Sequence, residues 1–232
     1  MGALGAMKPM ELHPWTAADF LLMFLMWAVM MVGMMLPSAM PMALVYAAVA
    51  RKAERQGTSL PPTFVFIAGY VSVWTLFSLG ATLAQWQLER LALLSPMMVS
   101  TSPALGGGLL VAAGIYQLTP AKETCLRHCR APARFFAEHW RPGMRGAFRM
   151  GLFHGAFCLG CCWLLMGLLF FGGVMNLLWI AAITVFVLLE KVLPFGVRAS
   201  RLTGVGLIAL GLAVLGLSLW SCGAEDLARG AV

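Results

Sequence analysis

A histidine and three cysteines lie close together in an apolar stretch of this 232-residue chain. In a helix, at 100° per residue, the side chains of His154, Cys158 and Cys161 fall within about 60° of one another, so an imidazole and two thiols share one face. Deprotonated thiols and neutral imidazoles bind zinc and copper(I). We therefore predict a metal site whose primary ligands are His154, Cys158, Cys161 and the adjacent Cys162.

A second cysteine pair, Cys125 and Cys129, precedes this group, with His128 between the two thiols. If a helix continues past Pro120, residues four apart face the same way and the two thiols point to one side. The neighbouring basic side chains, those of Lys122, Arg127 and Arg130, would lower the pKa of both thiols. We expect an entry site or a second metal site here, with His128 as a further ligand. Cys222 is interpreted as a small apolar residue without a metal role.

Methionines are concentrated between Met23 and Met42, where eight occur. Most methionine stripes are core packing, because the flexible thioether fills irregular gaps. This stripe, however, leads into Pro37 and Pro41, which free backbone carbonyls within an apolar segment. Thioether sulfur is also a ligand for copper(I). We expect four of these residues to act as soft relay ligands: Met30, Met34, Met35 and Met40.

Glu190 and Lys191 are ionisable residues near the end of an apolar segment, where a charge is expensive and usually has a partner. Glu190 could be a metal ligand, a proton acceptor, or the ion-pair partner of Lys191 or of an arginine. The sequence leaves these roles open. We expect the two residues to act as charge partners of the metal site.

The elements that must position these residues are membrane-spanning helices. Hydrophobic residues make up 61% of the chain and charged residues 11%, against about 45–50% and about 25% in soluble domains. Segments of about 20 apolar residues suit helices and are too evenly apolar for barrel strands. The prediction is an all-α fold in a single domain of six transmembrane helices, at about 18–49, 63–86, 97–118, 147–172, 175–195 and 202–220.

The distribution of basic residues predicts the orientation of these segments. Of the 16 Lys and Arg residues, all but Lys8, Arg90 and Arg229 fall in or beside the first, third and fifth joins. By the positive-inside rule these joins are cytoplasmic, including a long loop at about 119–146, and both termini are non-cytoplasmic. Membrane topology thereby accounts for the net charge of +7 without a nucleic-acid partner. It also gathers the candidate ligands in the cytoplasmic half of the bundle.

Four sequence strings resemble an uncharacterised bacterial family of six-helix proteins described as predicted metal-binding integral membrane proteins, a domain of unknown function. The resemblance covers most of the chain, from the first to the fifth segment. It implies metal binding in the membrane and does not identify the metal. The strings are Trp27–Pro37 with Pro41, Tyr116–Leu126 with Cys129 and Pro132, Cys158–Trp163 with Met166, and Glu190–Lys191 with Pro194.

The leading functional hypothesis is a non-enzymatic membrane protein that handles a soft transition metal, copper before zinc, together with a metal donor or acceptor protein. Two alternatives stay open. Cys158 and Cys161 have the spacing of a thiol–disulfide electron carrier, and glycine-rich helix faces suit a homo-oligomer or a subunit of a larger membrane complex. No Ser-His-Asp arrangement, phosphate-binding glycine loop or dinucleotide fingerprint supports a hydrolase or a nucleotide-driven pump.

Overall fold

The fold is all-α, as predicted. The computed structural model describes residues 15–94 and 98–229. Within these ranges the chain forms nine helices: α1 Ala17–Arg55, α2 Thr63–Arg90, α3 Pro103–Gln117, α4 Pro120–Arg130, α5 Pro132–His139, α6 Gly143–Gly167, α7 Leu169–Gly172, α8 Leu177–Val192 and α9 Gly196–Arg229.

Local sequence signals explain where several helices begin. Thr16 caps α1 in a reciprocal capping box with Asp19, and side-chain oxygens of Ser102, Thr119 and Asn176 cap α3, α4 and α8. Such caps satisfy backbone N–H groups that the first helical turn leaves without partners. In α3, α4 and α5 a proline follows the cap, where its missing N–H costs nothing.

Four helical stretches are long and apolar enough to cross a membrane: α1, α2, Gly143–Gly172 and the first part of α9. A fifth span is obtained if α3 and α4, which meet at an angle of 65°, count as one bent span. The predicted segment at 175–195 corresponds to α8, whose 16 residues extend only about 24 Å at 1.5 Å per residue. The six-span topology and the location of the termini thus stay predictions.

The helix is interrupted before Pro120 and does not continue through it. α3 ends at Gln117, and α4 begins at Pro120 with Thr119 as its cap, because proline disfavours helical backbone at the residue before it. The segment predicted as a cytoplasmic loop therefore consists largely of α4 and α5. Leu126 and Phe135 on these two helices are each only 1% exposed, so both helices pack onto the bundle.

Glycines allow the closest helix crossing in the interior, between α2 and α6. A Cβ atom added at Gly151 would lie 2.0 Å from the carbonyl oxygen of Phe66, and one added at Gly69 would lie 2.1 Å from the carbonyl oxygen of Phe148. Small residues let helix backbones approach in this way in membrane bundles. The crossing brings Tyr70 on α2 next to the His154–Cys162 face of α6.

Replacing Gly151 by alanine should separate α2 from α6, because the new methyl group meets backbone rather than a movable side chain. We expect a loss of about 1–3 kcal/mol in unfolding free energy, measured as a lower Tm in detergent. Gly167→Ala on the same helix is the matched control, since a Cβ there meets nothing within 4 Å. Equal Tm values for the two variants would contradict the close crossing.

The outer surface of the bundle is apolar, and a few polar side chains are buried inside it. Leu177, Leu178 and Val29 are 79%, 82% and 72% exposed on the outer surface, whereas Gln85 and Lys122 are no more than 1% exposed. An apolar exterior around buried polar groups is the arrangement expected of helices that face lipid tails.

Candidate metal centre

Helix α6 carries the histidine and three thiols of the central sequence motif on its buried side. Cys158, Cys161, Cys162 and His154 are each 1–2% exposed. The thiols of Cys161 and Cys162 both donate hydrogen bonds of 3.0 Å to the backbone carbonyl of Cys158. Three sulfur atoms are thereby held within one helical turn, in the interior of the bundle.

The Cys158 sulfur is the best-connected atom of this group. It accepts a hydrogen bond of 2.9 Å from Nζ of Lys191 and lies 3.0 Å from the hydroxyl of Tyr70. The Tyr70 hydroxyl in turn donates to the carbonyl of Met35 at 2.9 Å, and Lys191 also donates to Ser38 Oγ at 3.0 Å. Side chains from α2 and α8 therefore meet at a single thiol of α6, and α1 contacts both of those side chains.

Helix α4 adds the second cysteine pair to the same place. The Cys129 side chain lies beside Cys158 and Cys161, and the Cys125 sulfur packs on Gly160, where an added Cβ would come within 2.8 Å of it. Two groups that are about 30 residues apart in sequence thus form one cluster. We call these five thiols, Cys125, Cys129, Cys158, Cys161 and Cys162, the thiol cluster. All five are free cysteines.

His154 is a buried histidine without hydrogen-bond partners. Its side chain is 2% exposed, yet within the described residues neither ring nitrogen has a hydrogen-bond partner. Its ring stacks on Tyr70, with centroids 5.4 Å apart, and on Phe66 at 6.0 Å. Leaving a buried polar group unsatisfied costs about 1–3 kcal/mol, and such groups in native proteins call for an explanation. One explanation that agrees with the neighbouring thiols is a bound metal ion.

The predicted ligand His128 lies apart from the thiol cluster. Its Nδ1 atom is 2.9 Å from the carbonyl of Thr124, and its ring stacks on Phe157 with centroids 4.2 Å apart. Because His128 and Cys129 are adjacent in α4, their side chains diverge by about 100° around the helix. The spacing that brings Cys125 and Cys129 to one side therefore turns His128 away.

The four predicted relay methionines are distributed over different surroundings. Met35 is completely buried, and its sulfur lies 4.0 Å from the sulfur of Cys162. Met30 and Met34 line an apolar groove of about 570 Å³ between α1 and α8. Met40 is 44% exposed. Met35 is therefore the one of the four with a hydrogen-bond contact to the thiol cluster among the described residues.

Glu190 forms a buried ion pair with Lys122 rather than with Lys191 or an arginine. Its carboxylate lies 2.9 Å from Lys122 Nζ, and the two side chains are 2% and 1% exposed. Gln117 also donates to Glu190 at 3.4 Å and accepts a hydrogen bond from Ser200. Of the roles left open by the sequence, the structure shows the ion pair, and Lys191 is left to contact Cys158.

Two residues of this site have contacts that the sequence does not predict. Tyr70 lies in an apolar segment where a tyrosine is unremarkable, and Lys122 was taken as a basic neighbour that tunes thiols. Both contact their partners across long sequence separations, Tyr70 with Cys158 and Lys122 with Glu190. The one signal for Lys122 in the sequence is its position in the first turn of a helix that begins at Pro120.

Among residues 15–94 and 98–229, no three histidine, cysteine or carboxylate side chains stand in an arrangement that could hold a metal ion as they are. In this arrangement the thiols of Cys161 and Cys162 donate to the backbone carbonyl of Cys158. Side-chain rotation would have to free these sulfurs before they could ligate. The donor set itself, thiols with an imidazole and a thioether, suits a soft metal ion.

A protein-family model described as PpoB2, copper chaperone, matches residues 24–214. This range includes every helix that contributes to the thiol cluster. Searches of curated proteins and of solved structures gave no match.

Proposed function

The chain belongs to the PpoB2 copper chaperone family, and from this premise we propose that it is an integral membrane protein that binds copper(I) as cargo at the thiol cluster. The observation that carries the proposal is the buried His154, which has two unpartnered ring nitrogens beside Cys158. A packing histidine would need a hydrogen-bond partner for at least one nitrogen. A metal ion would take one of these nitrogens as a ligand when the cargo binds, which removes one of the two unsatisfied groups.

Each residue of the proposed site has a distinct part. Cys158, Cys161 and Cys162 supply thiolate ligands from α6, Cys129 supplies one from α4, and His154 supplies a neutral imidazole. Copper(I) prefers soft sulfur donors, and thiols must lose their protons to bind it. Lowering the pH should therefore weaken binding.

Lys191 and Tyr70 are proposed to make thiolate formation possible in an apolar interior. An ammonium group 2.9 Å from the Cys158 sulfur offsets the negative charge that deprotonation creates. Once Cys158 is a thiolate, the single hydroxyl proton of Tyr70 can turn from the Met35 carbonyl to the same sulfur. Met35, whose carbonyl accepts from Tyr70 and whose sulfur contacts Cys162, would link the cluster to the methionines of α1.

We place this site in the cytoplasmic half of a six-span bundle in the bacterial inner membrane, with both termini on the opposite side. The positive-inside count supports that orientation, and the buried charges inside an apolar exterior support the membrane location. Partners in this proposal are membrane lipid and a protein that gives or receives copper. Assembly as a homo-oligomer or within a larger membrane complex is a further part of the proposal, to be tested by the mass of the purified particle.

Replacing His154 by phenylalanine should move stability and copper affinity in opposite directions. Phenylalanine keeps an aromatic ring between Tyr70 and Phe66 and removes two unsatisfied nitrogens, so we expect a stabler apo-protein, by about 1–3 kcal/mol. Loss of one ligand should weaken copper(I) binding by at least the 10–100-fold that changes outside the ligand shell typically cause. Tm in detergent and competition with a chromophoric copper(I) chelator measure the two effects.

Phe66→Leu serves as the control, since it disturbs the packing around His154 and leaves the imidazole in place. It should lower the Tm and leave copper affinity within a few-fold of the unsubstituted protein. Unchanged copper affinity in His154→Phe would remove His154 from the site. Copper-free protein with paired, reducible cysteines would instead support the thiol–disulfide carrier.

A further inference from the structure

A second cluster of polar and sulfur atoms lies toward the N-terminal end of α1, whereas the thiol cluster contacts α1 near its middle, at Met35. It surrounds Gln85 on α2, whose side chain is completely buried. The Gln85 Nε2 atom is 2.9 Å from a carboxylate oxygen of Glu89, 3.4 Å from the sulfur of Met98 and 3.7 Å from the sulfur of Met23. Two thioethers and a carboxylate thus converge on the position of a single nitrogen atom.

The orientation of the Gln85 amide is fixed by its other end. Its Oε1 atom accepts a hydrogen bond of 2.7 Å from the indole of Trp27, so the NH₂ group must face the sulfurs. That group has two hydrogens for three acceptors, which leaves one acceptor without a donor from Gln85. The Gln85 amide thus lies among three acceptor atoms and can donate to only two of them at a time.

The surrounding structure positions the three donor atoms. Met98 has a φ of 55°, a left-handed conformation that is uncommon for residues other than glycine, and strain of this kind concentrates at functional positions. Glu89 is held from its second oxygen by the indole of Trp15 at 2.8 Å. Met98 is 8% exposed, while Met23 and Glu89 are only partly buried, which gives access from one side.

We propose that Met23, Met98 and Glu89 form a second site for a soft monovalent cation, copper(I) or silver(I), with Gln85 Nε2 occupying its centre in the apo-protein. Rotation of the Gln85 side chain would open the centre, and the two thioethers would supply the soft ligands that such ions prefer. This site is separate from the thiol cluster that carries the proposed function. It contains no thiol and needs no deprotonation of sulfur.

The two sites are connected along α1. Met23 and Met35 are twelve residues apart, about 18 Å at 1.5 Å per residue. Met26, Met30 and Met34 lie between them and line the groove between α1 and α8. The thioether site would therefore stand at one end of a methionine path and the thiol cluster at the other.

The test is protection of methionines from oxidation by peroxide in the full-length protein in detergent, with silver(I) as a redox-inert probe and peptide mass spectrometry as the readout. We expect silver(I) to slow oxidation of Met23 and Met98 by about tenfold or more, because thioethers that bind a metal ion are no longer nucleophilic. Met144, which is 53% exposed on α6, is the internal control and should be oxidised at an unchanged rate. Equal effects at all three methionines would overturn the proposal.

Variants separate this site from the thiol cluster. In Cys158→Ser/Cys161→Ser protein, protection of Met23 and Met98 should persist, and its loss there would overturn the second site. Met23→Leu/Met98→Leu, a change of similar volume, should bind one equivalent of silver(I) fewer, whereas Met31→Leu on the same helix should bind the full amount. If only the thiol cluster fails to bind copper, silver(I) should still protect Met23 and Met98 from oxidation.

Discussion

Serine at both Cys158 and Cys161 should leave the purified protein without its tightly bound copper(I). The serine hydroxyl stays protonated at neutral pH and is a poor ligand for a soft ion, so the loss should exceed the 10–100-fold that substitutions outside the ligand shell cause. Serine at position 161 can still donate to the Cys158 carbonyl as the cysteine does, which preserves the local helix. Elemental analysis after gel filtration, with chelator competition on the same samples, measures the effect.

Cys222→Ser is the matched control, because the sequence assigns Cys222 no metal role. It should retain the copper content of the unsubstituted protein. Near-stoichiometric copper in the Cys158→Ser/Cys161→Ser protein would exclude these two thiols as primary ligands. Unchanged helix content by circular dichroism in both proteins would show that the difference lies in the site.

Replacing Lys122 by methionine should be among the most destabilising single changes in the chain. It leaves the Glu190 carboxylate, 2% exposed, without its ion-pair partner. Breaking a buried pair in this way typically costs about 3–5 kcal/mol. Thermal unfolding in detergent should show a Tm well below that of the unsubstituted protein, together with a smaller yield of monodisperse protein.

Two companion variants identify the cause of this loss. Lys122→Met/Glu190→Gln removes both charges and keeps an amide beside Gln117, so it should recover most of the lost stability and bind copper with near-normal affinity. Arg127→Met breaks an ion pair with Glu123 in which the arginine is 73% exposed, and exposed pairs contribute about 1 kcal/mol or less. A Lys122→Met protein as stable as Arg127→Met would contradict burial of the pair.

The sequence predicted the helical class because long apolar segments leave few alternatives, and four or five of the six predicted segments have the length of a span. The sequence could not predict that the chain bends at Thr119–Pro120 and that α4 packs back onto the bundle. Whether a chain leaves or rejoins the bundle after a proline depends on tertiary packing, here of Leu126 and Phe135 in the interior. Hydropathy of the segment does not contain that information.

For the metal centre, helical spacing predicted correctly that His154, Cys158 and Cys161 share the interior of α6. Helical spacing could not predict the contact between α4 and α6, because nothing in either segment indicates that Cys129 meets Cys158. Tyr70 and Lys122 were missed for the same reason. Periodicity describes one helix at a time, whereas partners on other helices are set by close crossings such as Gly69 with Gly151.

Glu190 and Lys191 are neighbours on α8 that contact different helices, Glu190 meeting Lys122 of α4 and Lys191 meeting Cys158 of α6. A chain is synthesised from its N-terminus, and domains generally fold in that order. The cysteines of α4 and α6 therefore emerge from the ribosome before the lysine and the glutamate that complete their surroundings. Until α8 is synthesised, a nascent chain has its thiols without the ammonium group of Lys191, so the proposed copper loading would follow the synthesis of α8.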